Sequence, residues 1–275
     1  MKKVALLPSL LTLGNAALGF TAIVTVLDAA FVGAPNNVDP GKLQIAIYCI
    51  FGAMVCDALD GTVAHLVKGT TEFGGYLDSL ADIISFGVAP ALIVKAIVKF
   101  DFHLFEGYNW NPWSKITWLV TGIYCLGTIL RLARFNVESK PDHESHQFFE
   151  GLPCPSAAGL LVAVALLYIV EPVLRDVTFY TMVISAPFMG LMMVSRIRYS
   201  HLINRMLLGE RSFAYLVLFA GALVAVFTLG IYLYALAIGF LAYVLWGPIS
   251  AIFRKRRKNP QTPEPGDERV ITNTH

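Results

Sequence analysis

The chain has 275 residues, 56% of them hydrophobic and only 15% charged, with a formal net charge of +2. Soluble domains carry about 25% charged and about 45–50% apolar residues, so too little polar surface remains here to cover a water-soluble core. The four cysteines (Cys49, Cys56, Cys125, Cys154) lie in or beside apolar runs without paired ligand spacing, which argues against a disulfide framework or structural zinc, and nothing in the composition points to nucleic acid.

Eight apolar segments follow one another, at about 6–27, 43–67, 75–98, 116–133, 155–170, 177–195, 213–229 and 231–250. Each approaches the ~20 residues that cross ~30 Å of hydrocarbon as a helix. Only a helix satisfies the backbone of an isolated span in lipid. The expected fold is therefore all-α, a polytopic membrane bundle of about eight transmembrane helices. Lys2 and Lys3 before the first run imitate a signal peptide, but the run is long and no A-x-A site ends it. It is expected to be retained as a span.

Counting Lys and Arg between alternate spans gives an orientation. One side collects Lys2, Lys3, Lys68, Arg131, Arg134, Lys140, Arg196, Arg198, Arg205, Arg211, residues 254–258 and Arg269, sixteen in all. The other receives five: Lys42, Lys95, Lys99, Lys115 and Arg175. Both termini are thus expected in the cytoplasm, in an inner (cytoplasmic) membrane, and the span number is even. Tyr108, Trp110 and Trp113 suit an aromatic belt at the outer interface. Two parts are expected, a transmembrane catalytic domain over 1–253 and a basic, disordered cytoplasmic tail over 254–275. The cluster Arg254 to Lys258 would meet anionic headgroups. His143 and His146 fall in a polar loop without further ligands and carry no metal reading.

Four aspartates stand where a membrane helix should have none. Asp57 and Asp60 are three residues apart, and Asp78 and Asp82 four, so each pair shares a helix face. Each would cost ~2.5–3.5 kcal/mol near a helix centre, and such residues mark functional sites. A short turn through Lys68, Gly69, Thr70 and Thr71 sets the two helices antiparallel, so that the faces meet. Gathered carboxylates repel one another unless a cation neutralises them, and all-oxygen ligands select a hard divalent ion, Mg²⁺ or Mn²⁺. Gly61, Ala64, Gly74 and Gly75 would keep these faces bare for a large anionic group. A cation-coupled transporter could use the same carboxylates as an ion site. It stays open as a rival, disfavoured because all four lie toward one side.

At these positions the sequence resembles the CDP-alcohol phosphatidyltransferase family, whose signature is D-x2-D-G-x2-A-R-x8-G-x3-D-x3-D. Asp57, Asp60, Gly61, Ala64, Gly74, Asp78 and Asp82 match it in register. One position departs, with His65 where the family has Arg. Wider stretches resemble the phosphatidylserine synthase branch: Leu7 to Asn15, Ser79 to Pro90, Arg131 to Asn136, Gly151 to Pro155 and Met193 to Tyr199. The likeness covers about residues 5–200.

That resemblance implies two divalent metals, Mg²⁺ or Mn²⁺, held by Asp57, Asp60, Asp78 and Asp82, with Asp82 also accepting the proton as catalytic base. It implies contacts to CDP-diacylglycerol from Gly61, Ala64, His65, Thr71 and Gly74. The implied reaction transfers the phosphatidyl group from CDP-diacylglycerol to L-serine, releasing CMP. Glycerol phosphate, inositol phosphate or choline remain alternative acceptors on the same scaffold, and the family often forms homodimers. Arg131, Arg134 and Asn136 end the fourth span on the same side, where the arginines can pair bidentately with a carboxylate or phosphate or serve as snorkelling anchors. Thr12 and Asn15 either line the headgroup cleft or bond between helices.

Overall fold

A computed structural model describes residues 6–31, 38–67, 71–101, 112–138, 149–199 and 232–257. Eight α-helices carry almost all of them: α1 (Leu6–Phe31), α2 (Pro40–Val67), α3 (Glu72–Asp82), α4 (Ala89–Asp101), α5 (Pro112–Glu138), α6 (Cys154–Val170), α7 (Arg175–Val194) and α8 (Tyr232–Arg257). Among the described residues, six stretches are long and apolar enough to cross a membrane: Ser9–Ala30, Pro40–Gly61, Glu72–Val98, Ile116–Val137, Pro172–Val194 and Leu233–Ser250. The chain is a multi-pass membrane protein built as a helical bundle, as the composition requires.

The span from Glu72 to Val98 is one continuous rod with an irregular middle. Between α3 and α4 the backbone widens into a π-helical turn, Ile83–Val88. The cause is in the sequence. Pro90 has no N–H to offer the Phe86 carbonyl four residues earlier, and its ring would strike that carbonyl in a regular α-helix. Widening relieves the clash, and the Ala89 N–H bonds to the Ile84 carbonyl, five residues back. The Phe86 carbonyl is then taken up from outside the rod, by the Tyr124 hydroxyl of α5 at 2.6 Å.

α6 is the shorter segment, 17 residues and about 26 Å long. It compensates by position: from Ala157 to Tyr168 every residue is buried. A helix that is apolar all round belongs in a bundle's interior, and α2, α4, α7 and α8 surround this one. Its start is fixed by a small antiparallel ladder pairing Phe149 with Tyr199 and Glu150 with Arg198. Gly151 follows with φ +91°, a conformation that favours glycine, and donates its N–H to the Ile197 carbonyl at 2.9 Å. The entry of α6 is thereby tied to the exit of α7.

The helices define two ends of the bundle. At one end lie the aspartates, the last turns of α5 and the start of α6. At the other, Asp39 before α2 bonds to Ala29 near the end of α1 through a 3.3 Å backbone contact. α7 finishes at the aspartate end. α8 starts at the far end, where Tyr234 hydrogen-bonds Glu171, and returns past Phe240 against Gly159 to Tyr243 beside Ser156 and Arg131. α7 thus ends, and α8 begins, at opposite ends of the bundle. The segment expected at 213–229 lies outside the described residues, as do Tyr108, Trp110 and the tail from Lys258. α8 itself continues as helix through Arg257, past the boundary expected at 253.

Candidate active site

α2 delivers Asp57 and Asp60 near its C-terminal end, and α3 delivers Asp78 and Asp82 from the antiparallel neighbour. Thr71 caps α3, its hydroxyl accepting from the Gly74 N–H at 3.1 Å. Carboxylate oxygens of Asp57, Asp60 and Asp78 come within 4.8 Å of one another. Asp60 is 7% exposed and Asp82 6%, while Asp57 and Asp78 are half-buried. The spacing alone had proposed that the two faces meet, and they do.

Two polar residues of α1 reach into this cluster. The Thr12 hydroxyl donates to Asp60 Oδ2 at 2.9 Å, and Asn15 Nδ2 donates to Asp82 Oδ1 at 3.0 Å. Both are buried interhelical bonds. Of the two sequence readings for Thr12 and Asn15, the helix-to-helix bond is the one observed, and its partners are the site's own carboxylates. Their role is to orient. Asp82 is engaged in this way and stands outside the trio formed by the other three.

Asp78 Oδ1 is buried with no hydrogen-bond partner. A buried unpaired carboxylate oxygen carries a large desolvation cost, and a divalent cation is the group that would offset it. Three carboxylates of purely oxygen character at this spacing fit a hard divalent ion. Asp57, Asp60 and Asp78 are thus suited to hold metal.

α5 brings the cationic side of the cleft. Arg131 lies close enough to Asp57 and Asp82 to interact with both charges, and its Nη1 donates to Cys154 Sγ at 3.1 Å. Its Nε is buried without a partner. Arg134 is half-buried one turn further along α5. Asn136 joins the site through α3, its Oδ1 accepting from the Ser79 hydroxyl at 3.2 Å. Gly61 and Gly75 face open space, since a Cβ on either would meet nothing within 4 Å. The bare approach expected between the aspartates is present at these two positions. Ala64 and His65 sit on the last turns of α2, and their side chains lie outside the described part of the structure.

Sequence reasoning missed Ser79, Ser85, Tyr124, Cys154 and Tyr243 as parts of this neighbourhood. Ser79 and Ser85 had a signal, since they lie between and just beyond the aspartates at helical spacing. Cys154 lay inside the Gly151 to Pro155 stretch without being singled out, and Tyr243 had no signal, because it comes from a distant apolar helix.

A family model for CDP-alcohol phosphatidyltransferase matches residues 5–195, which include all four helices of the cluster. The chain belongs to the CDP-alcohol phosphatidyltransferase family. Among proteins similar to this member of the family is the CDP-diacylglycerol–serine O-phosphatidyltransferase of Helicobacter pylori, 32% identical over 194 residues, 70% of this chain and 71% of that one. The enzyme of the same name from Methanocaldococcus jannaschii is 33% identical over 175 residues, covering 62% and 72% of the two chains. That from Saccharomyces cerevisiae is 36% identical over 160 residues, covering 56% and 51%. CDP-alcohol phosphatidyltransferases are metal-dependent as a family, which agrees with the acidic cluster.

Proposed function

We propose that this protein transfers the phosphatidyl group of CDP-diacylglycerol to L-serine, forming phosphatidylserine and CMP. The observation that carries the reading is the carboxylate cluster on antiparallel α2 and α3, set opposite Arg131, in a chain whose relatives act on CDP-diacylglycerol and serine by name. Two divalent ions, Mg²⁺ or Mn²⁺, bound by Asp57, Asp60 and Asp78 with a share from Asp82, would withdraw charge from the diphosphate as CMP leaves.

The chain's own residues supply the rest. Asp82 takes the serine hydroxyl proton while that oxygen attacks the phosphorus bearing diacylglycerol. The bond from that phosphorus to the CMP oxygen breaks, so one phosphoester forms and one phosphoanhydride is lost. A base must lie within ~3 Å of the proton it removes, and Asn15 holds one oxygen of Asp82 so that the other is free to do so. Arg131 and Arg134 pair with the serine carboxylate or a substrate phosphate, with Asn136 at the same end of α5. Gly61, Ala64, His65, Thr71 and Gly74 border the donor. His65 in place of the family's Arg removes a fixed cation there, since a neutral-pH imidazole is largely uncharged. The acyl chains explain the membrane location, because extracting them costs ~0.8 kcal/mol per CH₂. We place the cleft on the cytoplasmic side of an inner membrane, and take a homodimer as the assembly to look for.

The test is CMP release by the purified protein from CDP-diacylglycerol, with serine, glycerol phosphate, inositol phosphate or choline in separate arms. Serine should support turnover and yield phosphatidylserine, and Asp82→Asn should lower the rate by at least 100-fold. Release with another alcohol and none with serine would overturn the choice of acceptor. No release with any of them would remove the transferase reading.

A further inference from the structure

The π-helical turn begins at the residue after Asp82, and three neighbouring groups hold it in place. Tyr124, fully buried on α5, donates its hydroxyl to the Phe86 carbonyl at 2.6 Å. That carbonyl has no α-helical partner, because the residue four positions on is Pro90. Ser85 donates its hydroxyl to the backbone carbonyl of Asn15 at 3.0 Å. Asn15 in turn holds Asp82 Oδ1 at 3.0 Å. Asp82, Ser85 and Asn15 therefore form a closed circuit between α1 and the start of the π turn, and Tyr124 fixes the far side of that turn.

The packing around the circuit leaves no slack. A Cβ on Gly19 would come within 2.8 Å of the Ser85 Cα and closer still to its hydroxyl. A Cβ on Gly87 would lie 3.2 Å from Thr128 Cγ2, one turn along α5 from Tyr124. α1 and α5 thus grip the π turn from two sides at glycine-sized contacts. A π turn offsets the residues before it relative to those after it, since it accommodates one residue more than the α-helix does. In this rod the residue directly before the offset is the proton acceptor.

We infer that Tyr124 is a positioning residue for the transfer reaction: its hydroxyl replaces the N–H that Pro90 lacks, stabilises the π turn, and thereby aims the Asp82 carboxylate at the attacking hydroxyl. The inference rests on the transferase reading proposed above. The division of labour in the cluster makes it specific. Asp57, Asp60 and Asp78 form the trio suited to metal, and all three precede the π turn in the chain, with Asp82 alone adjoining it. Loosening the turn should leave the trio of Asp57, Asp60 and Asp78 able to hold metal, and donor binding in place, while it misdirects Asp82, the residue next to the turn. A misplacement of about 1 Å at a reacting group can cost about 100-fold in rate.

The experiment is Tyr124→Phe, which removes the hydroxyl and little else, assayed beside wild type and Asp82→Asn. Steady-state kinetics for serine and CDP-diacylglycerol are combined with Mn²⁺-binding stoichiometry by electron paramagnetic resonance. Expected is a kcat reduced about tenfold or more, with both KM values within threefold and the Mn²⁺ stoichiometry of wild type. An unchanged kcat overturns the inference. So does a fall in Mn²⁺ stoichiometry that parallels kcat, because the loss would then be of folded protein. Ser85→Ala breaks the same circuit from the α1 side with a smaller change in volume, and should show the same split of kcat from KM. If Tyr124→Phe does not fold and Ser85→Ala leaves kcat untouched, the inference also fails. A wild-type protein that releases no CMP identifies the transferase reading as the error, which a normal wild type beside an unaffected Tyr124→Phe does not.

Discussion

Thr12 holds a carboxylate of the proposed metal site without itself being among the proposed ligands. It is 4% exposed, and its bond to Asp60 Oδ2 fixes which oxygen of that carboxylate remains for a cation. Residues that orient a metal's ligands are typically worth 10–100-fold in affinity or activity. Thr12→Val keeps the shape and deletes the donor. The Mn²⁺ concentration for half-maximal CMP release should rise about tenfold, while kcat at saturating Mn²⁺ stays within about threefold. A metal titration of the variant checks this, and an unchanged requirement would reduce Thr12 to a packing residue. The aspartates themselves were legible from spacing, because two carboxylates at three or four residues cannot avoid sharing a face. Which α1 residue serves which aspartate was not legible. Nothing local to Thr12 or Asn15 encodes a partner 48 or 67 residues away.

At the scale of elements, α5 and α7 cross at a pair of glycines. A Cβ on Gly127 would lie 2.7 Å from the Gly190 Cα, and one on Gly190 would lie 2.6 Å from the Ile123 carbonyl oxygen. Helix pairs in lipid gain their association from such close backbone approach, not from the hydrophobic effect. The crossing matters to the site because α5 carries Tyr124, Arg131 and Asn136. Gly127→Val should force the helices apart and cost ~1–3 kcal/mol or more by overpacking. Thermal unfolding in detergent, followed by tryptophan fluorescence, should shift down by several degrees. Gly122→Val is the control, since a Cβ there meets nothing within 4 Å, and its transition should stay near wild type. Helix existence was readable from apolar length alone, and the ends of α6 and α7 agree with expectation within about two residues. The π turn was not readable as such. Pro90 signals an irregularity, yet whether a rod kinks, breaks or widens depends on what fills the gap. Here the filler is Tyr124, which is distant in sequence.

Across the whole molecule, charge distribution and helix geometry bear independently on one question. Sixteen Lys and Arg fall on the side assigned to the cytoplasm and five on the other, provided the chain crosses an even number of times. The described helices approach the same parity from geometry: α7 finishes at the aspartate end, while α8 starts at the opposite end beside Glu171 and returns. The order of contacts along α8, Tyr234 at Glu171 and then Tyr243 at Ser156 and Arg131, runs from the far end toward the aspartate end. The aspartate end is also the end carrying Arg131, Arg134, Arg196 and Arg198, so cleft and positive charge coincide. Water-soluble serine and departing CMP would then exchange with the cytoplasm, while the acyl chains stay in the bilayer. The expected outcome is that single cysteines introduced at Ser195 and Asn259, in a background with the four native cysteines replaced by alanine or serine, react with an impermeant maleimide only after the membrane is opened. A cysteine at Val173, 91% exposed at the far end, should react in sealed, right-side-out preparations. Labelling of Ser195 and Asn259 positions from opposite sides would break the parity, and with it the placement of the carboxylates just inside the cytoplasmic leaflet.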